Sequence, residues 1–462
     1  MRLEALFRPK SIAIVGASDK PTIGRRLIAS LDRIGFAGPI FPINPNYPTV
    51  AGRQCYASPA DLPEAPDVAV FCVGHARVLD ALLAAAERGV KGAVIYDGGF
   101  SERGEEGRKL QSKIAGICRD AGIALCGPNC MGVLNPHERS TTYLQELRDA
   151  TGLAGNVGLI SQSGAFCITL LSDIRRFGFS HVVSSGNEAV LAAADYLEYL
   201  ADDPKTQVIG TFIETVRSPD RFAAALDRAA AAGKPVVALK VGQTDRTRHA
   251  VTTHTGGPAG DPSAVSELLH AHGVIEVSDL VEFTEALAAA QGERRSVGRR
   301  IGVVTSSGGL AELLLDAGAS LGVQLPPLSP TIKAEIEDRI GFVTGDGNPL
   351  DAWGNGTFLT NLPIALAVLD RSPDHDIVVF CRDNCDGQPF EMPELPMSYL
   401  ELFVRAAQSS RKPHYLLHTR PGVMNREQVV YLRAAGIPVV GGIREGLGAI
   451  DRLARHAAAK GV

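Results

Sequence analysis

The chain has 462 residues, 45% of them hydrophobic and 21% charged, with a formal net charge of −5. That composition suits about three globular domains of ~150 residues each and offers no basic surface for nucleic acid. No apolar run approaches the roughly 20 residues that a membrane-spanning helix needs, and the N-terminus MRLEALFRPKSIAIVGAS reads as a strand entering a turn rather than as a leader.

The cysteines (Cys55, Cys72, Cys118, Cys126, Cys130, Cys167, Cys381, Cys385) include no CxxC pair. His137 and His375, the histidines nearest Cys126/Cys130 and Cys381/Cys385, stand at no recognised zinc spacing. Reduced thiols in a cytoplasmic enzyme, with no metal site, are the expectation.

The first unit opens SIAIVGAS, a buried strand and a glycine turn, followed by helical spacing at Ile23, Leu27, Leu31 and Ile34. PIFPINP, DVAVFCV, GAVIYDGGF and IALCGPN supply four more strands, most of them separated by helices. That alternation predicts a parallel sheet with helices on both faces. Residues 131–157 look irregular and polar and read as a linker. GLISQSGAF then repeats the plan of strand, turn and helix, with SHVVSSGN, QVIGTFIETV and PVVALKVG as further strands and VSELLHAHG as a helix. Residues 291–300 read as a second linker. RIGVVTSSGGLAELLLDAG opens a third strand–turn–helix, continued by DIVVFCRDN, PHYLLHTR and IPVVGGI. The fold class is therefore α/β, with three consecutive Rossmann- or flavodoxin-like domains built on parallel sheets.

Gly16-Ala17-Ser18 joins a strand to a helix, and such turns bind anions because unpaired N–H groups and the helix dipole face them. NAD is disfavoured: Ser18 replaces the second glycine of GxGxxG, and the second strand ends Asn44-Pro45-Asn46 with no carboxylate for a ribose. A phosphorylated nucleotide other than NAD fits better, and a plain tight turn is the competing reading. SQSGAF (161–166) and TSSGGL (305–310) are similar turns that also serve simply to connect elements. Glu214 ends the strand IGTFIE, either as a solvated strand-end carboxylate or as a group that orients a histidine. His254, in THTGGPAGD, precedes Gly256-Gly257-Pro258, so a loop is expected there and imidazole is a competent phosphoryl acceptor. A serine triad on SQSGA lacks the first glycine of GxSxG. Cys130 and Cys167 read as small apolar residues beside the sheet.

In order along the whole chain, IVGAS, INPN, YDGGFSERGEEG, CGPNCMG, LISQSGAF, SSGNEA with DYLEYLADDPKT, KVG, THTGGPAGD, SSGGLAELLLDAG and NPLD resemble the NDP-forming acyl-CoA synthetases. This is the superfamily of succinyl-CoA synthetase and ADP-forming acetyl-CoA synthetase, and the likeness is to its α-type half. The resemblance implies a CoA-binding domain (1–135), a ligase domain with the phosphohistidine (152–290) and a third flavodoxin-like domain (301–462). It implies that His254 carries phosphate and that Glu214 stabilises the phosphohistidine. It places CoA at Gly16, Ala17, Ser18, Asn44 and Pro45, flanked by Val73, Gly98, Gly99 and Phe100. Asn129 and Ser161, Gln162, Ser163 and Gly164 then lie near the acyl and phosphate groups. ATP or ADP with Mg2+ is expected on a separate ATP-grasp β subunit, giving a hetero-oligomer. Three positions depart from the family pattern: Asn46 for lysine, Val73-Gly74-His75 for a proline-containing run, and Val190 for aspartate. The competing reading is a CoA-binding sensor or scaffold of the same fold without turnover.

Overall fold

The computed structural model describes residues 3–173, 176–255, 261–296, 298–355, 357–383, 385 and 395–460, without the side chains of 252–255, 262 and 395–397. By contact it divides into two compact units, Met1–Ser172 with Gly178–Glu276, and Asp173–Phe177 with Val277–Val462.

Among the described residues the first unit holds two large sheets and one two-stranded sheet. Strands β1 (Ile12–Val15), β2 (Ile40–Ile43), β3 (Thr49–Val50), β4 (Arg53–Gln54), β5 (Val68–Phe71), β6 (Gly92–Ile95) and β7 (Ala124–Cys126) come first. Five of them form a parallel sheet in the order β2-β1-β5-β6-β7, and β3 and β4 form a small antiparallel pair. β1, β5 and β6 are buried throughout, as expected of apolar strands covered on both faces. The helix Ile23–Ile34 buries Leu27, Ile28, Leu31 and Ile34 and stops at Gly35, which is left-handed at φ +79°.

The second sheet contains β8 (Gly132–Asn135), β9 (Ser140–Thr141), β10 (Ala154–Ser161), β11 (Phe179–Ser184), β12 (Val208–Ile213), β13 (Val236–Lys240) and β14 (Ile275–Val277), in the order β14-β13-β12-β10-β11-β8-β9. The linker expected over 131–157 is thus partly sheet. β8 pairs antiparallel with β11, Val182 opposite Leu134, and β9 pairs antiparallel with β8. The polar Asn135, Ser140, Thr141 and Thr142 that suggested a linker are buried. They are satisfied inside: Asn135 Nδ2 donates to the Phe7 carbonyl at 2.9 Å, and the Thr142 hydroxyl accepts from Val133 N at 3.0 Å.

The second unit is built on β15 (Ile301–Thr305), β16 (Leu350–Asp351), β17 (Ile377–Cys381), β18 (His414–His418) and β19 (Val439–Gly441), all parallel, in the order β16-β15-β17-β18-β19. Phe358, Phe380, Tyr399 and Phe403 stack through its core. The five residues 173–177, drawn from the middle of the first unit's sequence, belong to this second unit. Arg176 is buried there and places Nη1 2.7 Å from both carboxylate oxygens of Glu285. Glu285 Oε2 also accepts from the Gly441 amide at 2.6 Å.

Among the described residues no helix is long and apolar enough to cross a membrane.

Candidate functional site

The carboxyl ends of β1, β2 and β5 meet in one crevice. Gly16 is left-handed at φ +86°, and a Cβ there would lie 2.6 Å from Val73 Cγ1 and 2.7 Å from the Cys72 carbonyl, so no side chain fits between the strand ends. Asn44 Nδ2 donates to the Ala17 carbonyl at 2.7 Å and holds the turn against the end of β2. The Ser18 hydroxyl pairs with Thr22 at the helix entry. Among the described residues, the amides of Ala17 and Ser18 have no acceptor. Two open N–H groups ahead of a helix suit an anionic group such as a phosphate ester.

Beside that crevice lies an open groove of about 560 Å³, lined by His75, Asp97, Gly98, Gly99, Arg103 and Leu110 among others. Gly99 sits at φ +104° with the His75 ring where its side chain would be. The Gly99 and Phe100 amides both donate to Glu102 Oε1. Glu102 Oε2 accepts from Asn187 Nδ2 at 2.7 Å, and Asn129 Nδ2 donates to Asn187 Oδ1 at 3.2 Å. Burial pushes the Glu102 carboxyl up, but the Asn187 side chain and the Phe100 and Gly99 amides outweigh it, and its pKa falls below the ordinary value.

The residue after Asn187 reaches the other way. Glu188 is buried with its backbone at φ +55°. Its Oε1 accepts from Gln162 Nε2 at 3.0 Å, from the Ser185 hydroxyl at 2.8 Å and from the Ala193 amide at 3.2 Å. Arg217 Nε lies 3.7 Å from its Oε2. Burial pushes Glu188 up to about 6, against the lowering effect of Gln162, Ser185 and Arg217. Gln162 in turn accepts from the amides of Glu214 and Thr215 at 2.7 and 2.9 Å and donates to the Thr215 carbonyl at 2.8 Å. Loop 185–188 therefore bridges the 98–102 turn to the 161–164 turn. Val190, one of the three departures from the family pattern, packs on the first sheet's core.

The 161–164 turn is closed on itself: the Ser161 hydroxyl accepts from Ser163 N at 3.1 Å and donates to the Ser163 carbonyl at 2.7 Å. Gly164 starts the helix Gly164–Leu171 with Met131 packed where a Cβ would project. Phe166 and Phe212 stand with ring centroids 4.5 Å apart.

Glu214 is half-buried just beyond β12. With Lys240, Asp261, Val216, Val241 and Leu268 it lines a cavity of about 320 Å³ beneath the helix Pro262–Ala271. Lys240 ends β13 and is buried, which lowers its pKa. The loop expected around His254 is a helix instead, Asp245–Thr255, with His254 next to its end. Gly-Gly-Pro stops a helix without forbidding one upstream. The start is strongly set: Thr244 and Thr247 exchange reciprocal bonds, each hydroxyl accepting from the other's amide, and Asp245 lies in the first turn. This helix lies against the turn Ser101–Arg103. The His254 side chain and residues 256–260, including the Gly-Gly-Pro run, lie outside the described residues.

The fold thus joins Gly16, Ala17, Ser18, Asn44 and Val73 in one crevice, with Pro45 the residue after Asn44; Gly98, Gly99, Phe100 and Asn129 around Glu102; and Ser161 to Gly164 with Glu214. Sequence reading passed over Glu102, Asn187, Glu188 and Lys240 as individual groups. All four stand in the runs YDGGFSERGEEG, SSGNEA and KVG, and their placement at strand ends was the available signal.

Known proteins bear directly on this arrangement. Residues 10–136 match a CoA binding domain and residues 154–290 a succinyl-CoA ligase like flavodoxin domain. Over 446 residues the chain is 30% identical to the α subunit of acetate–CoA ligase (ADP-forming) I of Pyrococcus furiosus, covering 95% of this chain and 94% of that one. The chain belongs to the ADP-forming acyl-CoA ligase family. Another relative, a trans-feruloyl-CoA synthase from an unknown prokaryotic organism, is 38% identical over 76% of this chain and 50% of its own length. The chain spans about half the length of the first such curated ligases it matches. A solved ligase of the same architecture is the dinucleotide forming acetyl-coenzyme A synthetase 1 of Ca. Korarchaeum cryptofilum, in complex with phosphate and ADP. It is 28% identical, with a TM-score of 0.85 over 100% of this chain and 98% of that one.

Proposed function

We propose that the chain is the α-type half of an ADP-forming acyl-CoA synthetase, interconverting acid, CoA and ATP with acyl-CoA, ADP and phosphate. Its parts are a CoA-binding domain (1–135), a ligase domain (152–290) and a third flavodoxin-like domain (301–462). In the acid-forming direction, phosphate displaces CoA from the thioester to give an acyl phosphate. His254 then takes the phosphoryl group, releasing the carboxylate, and passes it to ADP. Phosphoryl transfer of this kind depends on positioning and charge neutralisation more than on covalent chemistry from other side chains. Gly16, Ala17, Ser18, Asn44 and Pro45 hold CoA, with Val73, Gly98, Gly99 and Phe100 alongside. Asn129 and the 161–164 turn receive the acyl phosphate, and Glu214 stabilises the phosphorylated histidine. ATP or ADP with Mg2+ binds an ATP-grasp partner subunit in a cytoplasmic hetero-oligomer.

The observation that carries this reading is the packing of helix Asp245–Thr255 against the turn Ser101–Arg103. It sets the helix bearing His254 beside the loop that flanks the CoA crevice, within one compact unit. The test is phosphate incorporation from labelled ATP in the presence of the ATP-grasp subunit. His254→Ala is expected to abolish acid-labile labelling of this chain, and retained labelling overturns the assignment. Relatives are named for acetate, 4-hydroxybutyrate and trans-ferulate, so a panel of those three acids identifies the acyl class. The Phe166–Phe212 pair beside the 161–164 turn supports an aromatic acyl group.

A further inference from the structure

In the second unit, the register that pairs Cys381 with Leu417 brings the residues after β17 alongside the last residue of β18, His418. The sequence separates Cys385 from His418 by more than thirty residues, and parallel pairing closes that distance. Cys385 Sγ lies 3.3 Å from His418 Nε2, and Asp383 Oδ1 lies 3.8 Å from the same nitrogen. The three donor atoms all fall within 4.8 Å of one another. Ligands on tetrahedral zinc, with bonds of about 2.0–2.3 Å, stand roughly 3.4–3.6 Å apart. The observed separations straddle that value without any side chain having closed on an ion.

The surroundings orient each donor. His418 is fully buried, and its Nδ1 lies 2.7 Å from the Arg420 carbonyl. The Arg420 amide lies 3.1 Å from the same Nδ1; in the tautomer that shares the Nδ1 proton with the nearer carbonyl, the Nε2 lone pair points at Cys385 and Asp383. The Thr419 hydroxyl donates to Asp383 Oδ1. Arg420 Nη2 donates to Cys385 Sγ at 2.8 Å, a contact that offsets thiolate charge. Cys385 Sγ also lies 3.3 Å from the Val423 carbonyl. Outer partners on every ligand are what metal sites use to fix ligand direction.

We propose that Asp383, Cys385 and His418 form a binding site for a borderline-soft divalent cation, Zn2+ by its mixture of sulfur, nitrogen and oxygen donors. The cation takes the thiolate, the imidazole Nε2 and one carboxylate oxygen, and the Cys385 proton leaves to solvent. A fourth position stays open to water. Bound metal ties the segment after β17 to the end of β18 within the second unit.

The test uses the full chain, reduced and stripped with chelator, titrated with Co2+ as a spectroscopic probe. One equivalent is expected to give a near-ultraviolet thiolate-to-cobalt band with visible bands of tetrahedral intensity, release about one proton, and be displaced by Zn2+. Cys385→Ser and His418→Ala are expected to lose the band. A readout on the unaltered chain accompanies the variants: Zn2+ should slow alkylation of Cys385, located by peptide mass, at least about tenfold. Absence of the band, its persistence in Cys385→Ser, or alkylation of Cys385 at the same rate with and without Zn2+ overturns the proposal.

Discussion

Gln162 Oε1 accepts a 2.7 Å hydrogen bond from the backbone amide of Glu214. One side chain thereby ties the turn after β10 to the end of β12, and its amide nitrogen reaches the buried Glu188. Gln162→Leu would leave the Thr215 amide and carbonyl, both buried, without this partner. The cost expected is about 0.5–1.5 kcal/mol for each hydrogen bond lost, read as a lower urea midpoint at unchanged m-value. Because Glu214 loses its anchor, phosphohistidine formation should fall further than the fraction folded.

Glu188 links stability to pH. Its folded pKa, about 6, lies above the ordinary 4.5, so the folded chain binds the extra proton between those values. The stabilisation is complete below pH 4.5 and is lost as pH rises through 6, and it amounts to roughly 2 kcal/mol. Glu188→Gln mimics the protonated group. The stability of this variant relative to the parent should rise by about that amount between pH 4.5 and pH 7. Parallel pH curves for the two proteins would show that Glu188 titrates normally.

Asn187 is the contact between the CoA-side loop and the 185–188 bridge. Asn187→Ala removes its bonds to Glu102, Ser101, Gln111 and Asn129. CoA affinity measured by calorimetry is expected to weaken roughly tenfold, the worth of about one such bond. Glu102 should also lose part of the cause of its lowered pKa. An unchanged CoA affinity would separate this bridge from cofactor binding.

Arg176 and Glu285 are almost fully buried against each other. Arg176→Met strands the carboxylate in the second unit and should cost about 3–5 kcal/mol. Adding Glu285→Leu should restore only part of it, because the Gly441 amide then loses its Glu285 acceptor and Asp173 still lacks the Arg176 guanidinium. Denaturant unfolding of the two variants checks both expectations.

The strand–turn–helix alternation was plain in the sequence because buried parallel strands such as Ile12–Val15 and Ile301–Thr305 are continuous apolar runs. The turns after them were equally plain, as glycines and hydroxyls cluster there. β8 and β9 were not, because strands of four and two residues carry no usable period, and the Ser140 and Thr141 of β9 look like loop residues until the fold buries them. The helix carrying His254 was hidden by the glycines and proline behind it, although the Thr244–Thr247 cap stood in the sequence. Asn187 with Glu102, and Cys385 with His418, depend on which strands lie side by side. Strand order is a tertiary property that local spacing does not encode.

The antiparallel edge formed by β8 and β9 sets where genes of this kind can be recombined. Cutting just after Asn135 would carry β8 off with the CoA-binding part and leave the exposed edge of β11 as a template for unwanted strand addition. Tyr143 is anchored as well, its hydroxyl donating to the Gly164 carbonyl at 3.1 Å. A viable crossover therefore falls between 145 and 152, and a chimera joined there exchanges the crevice at the ends of β1, β2 and β5 together with the two strands that seal its neighbour.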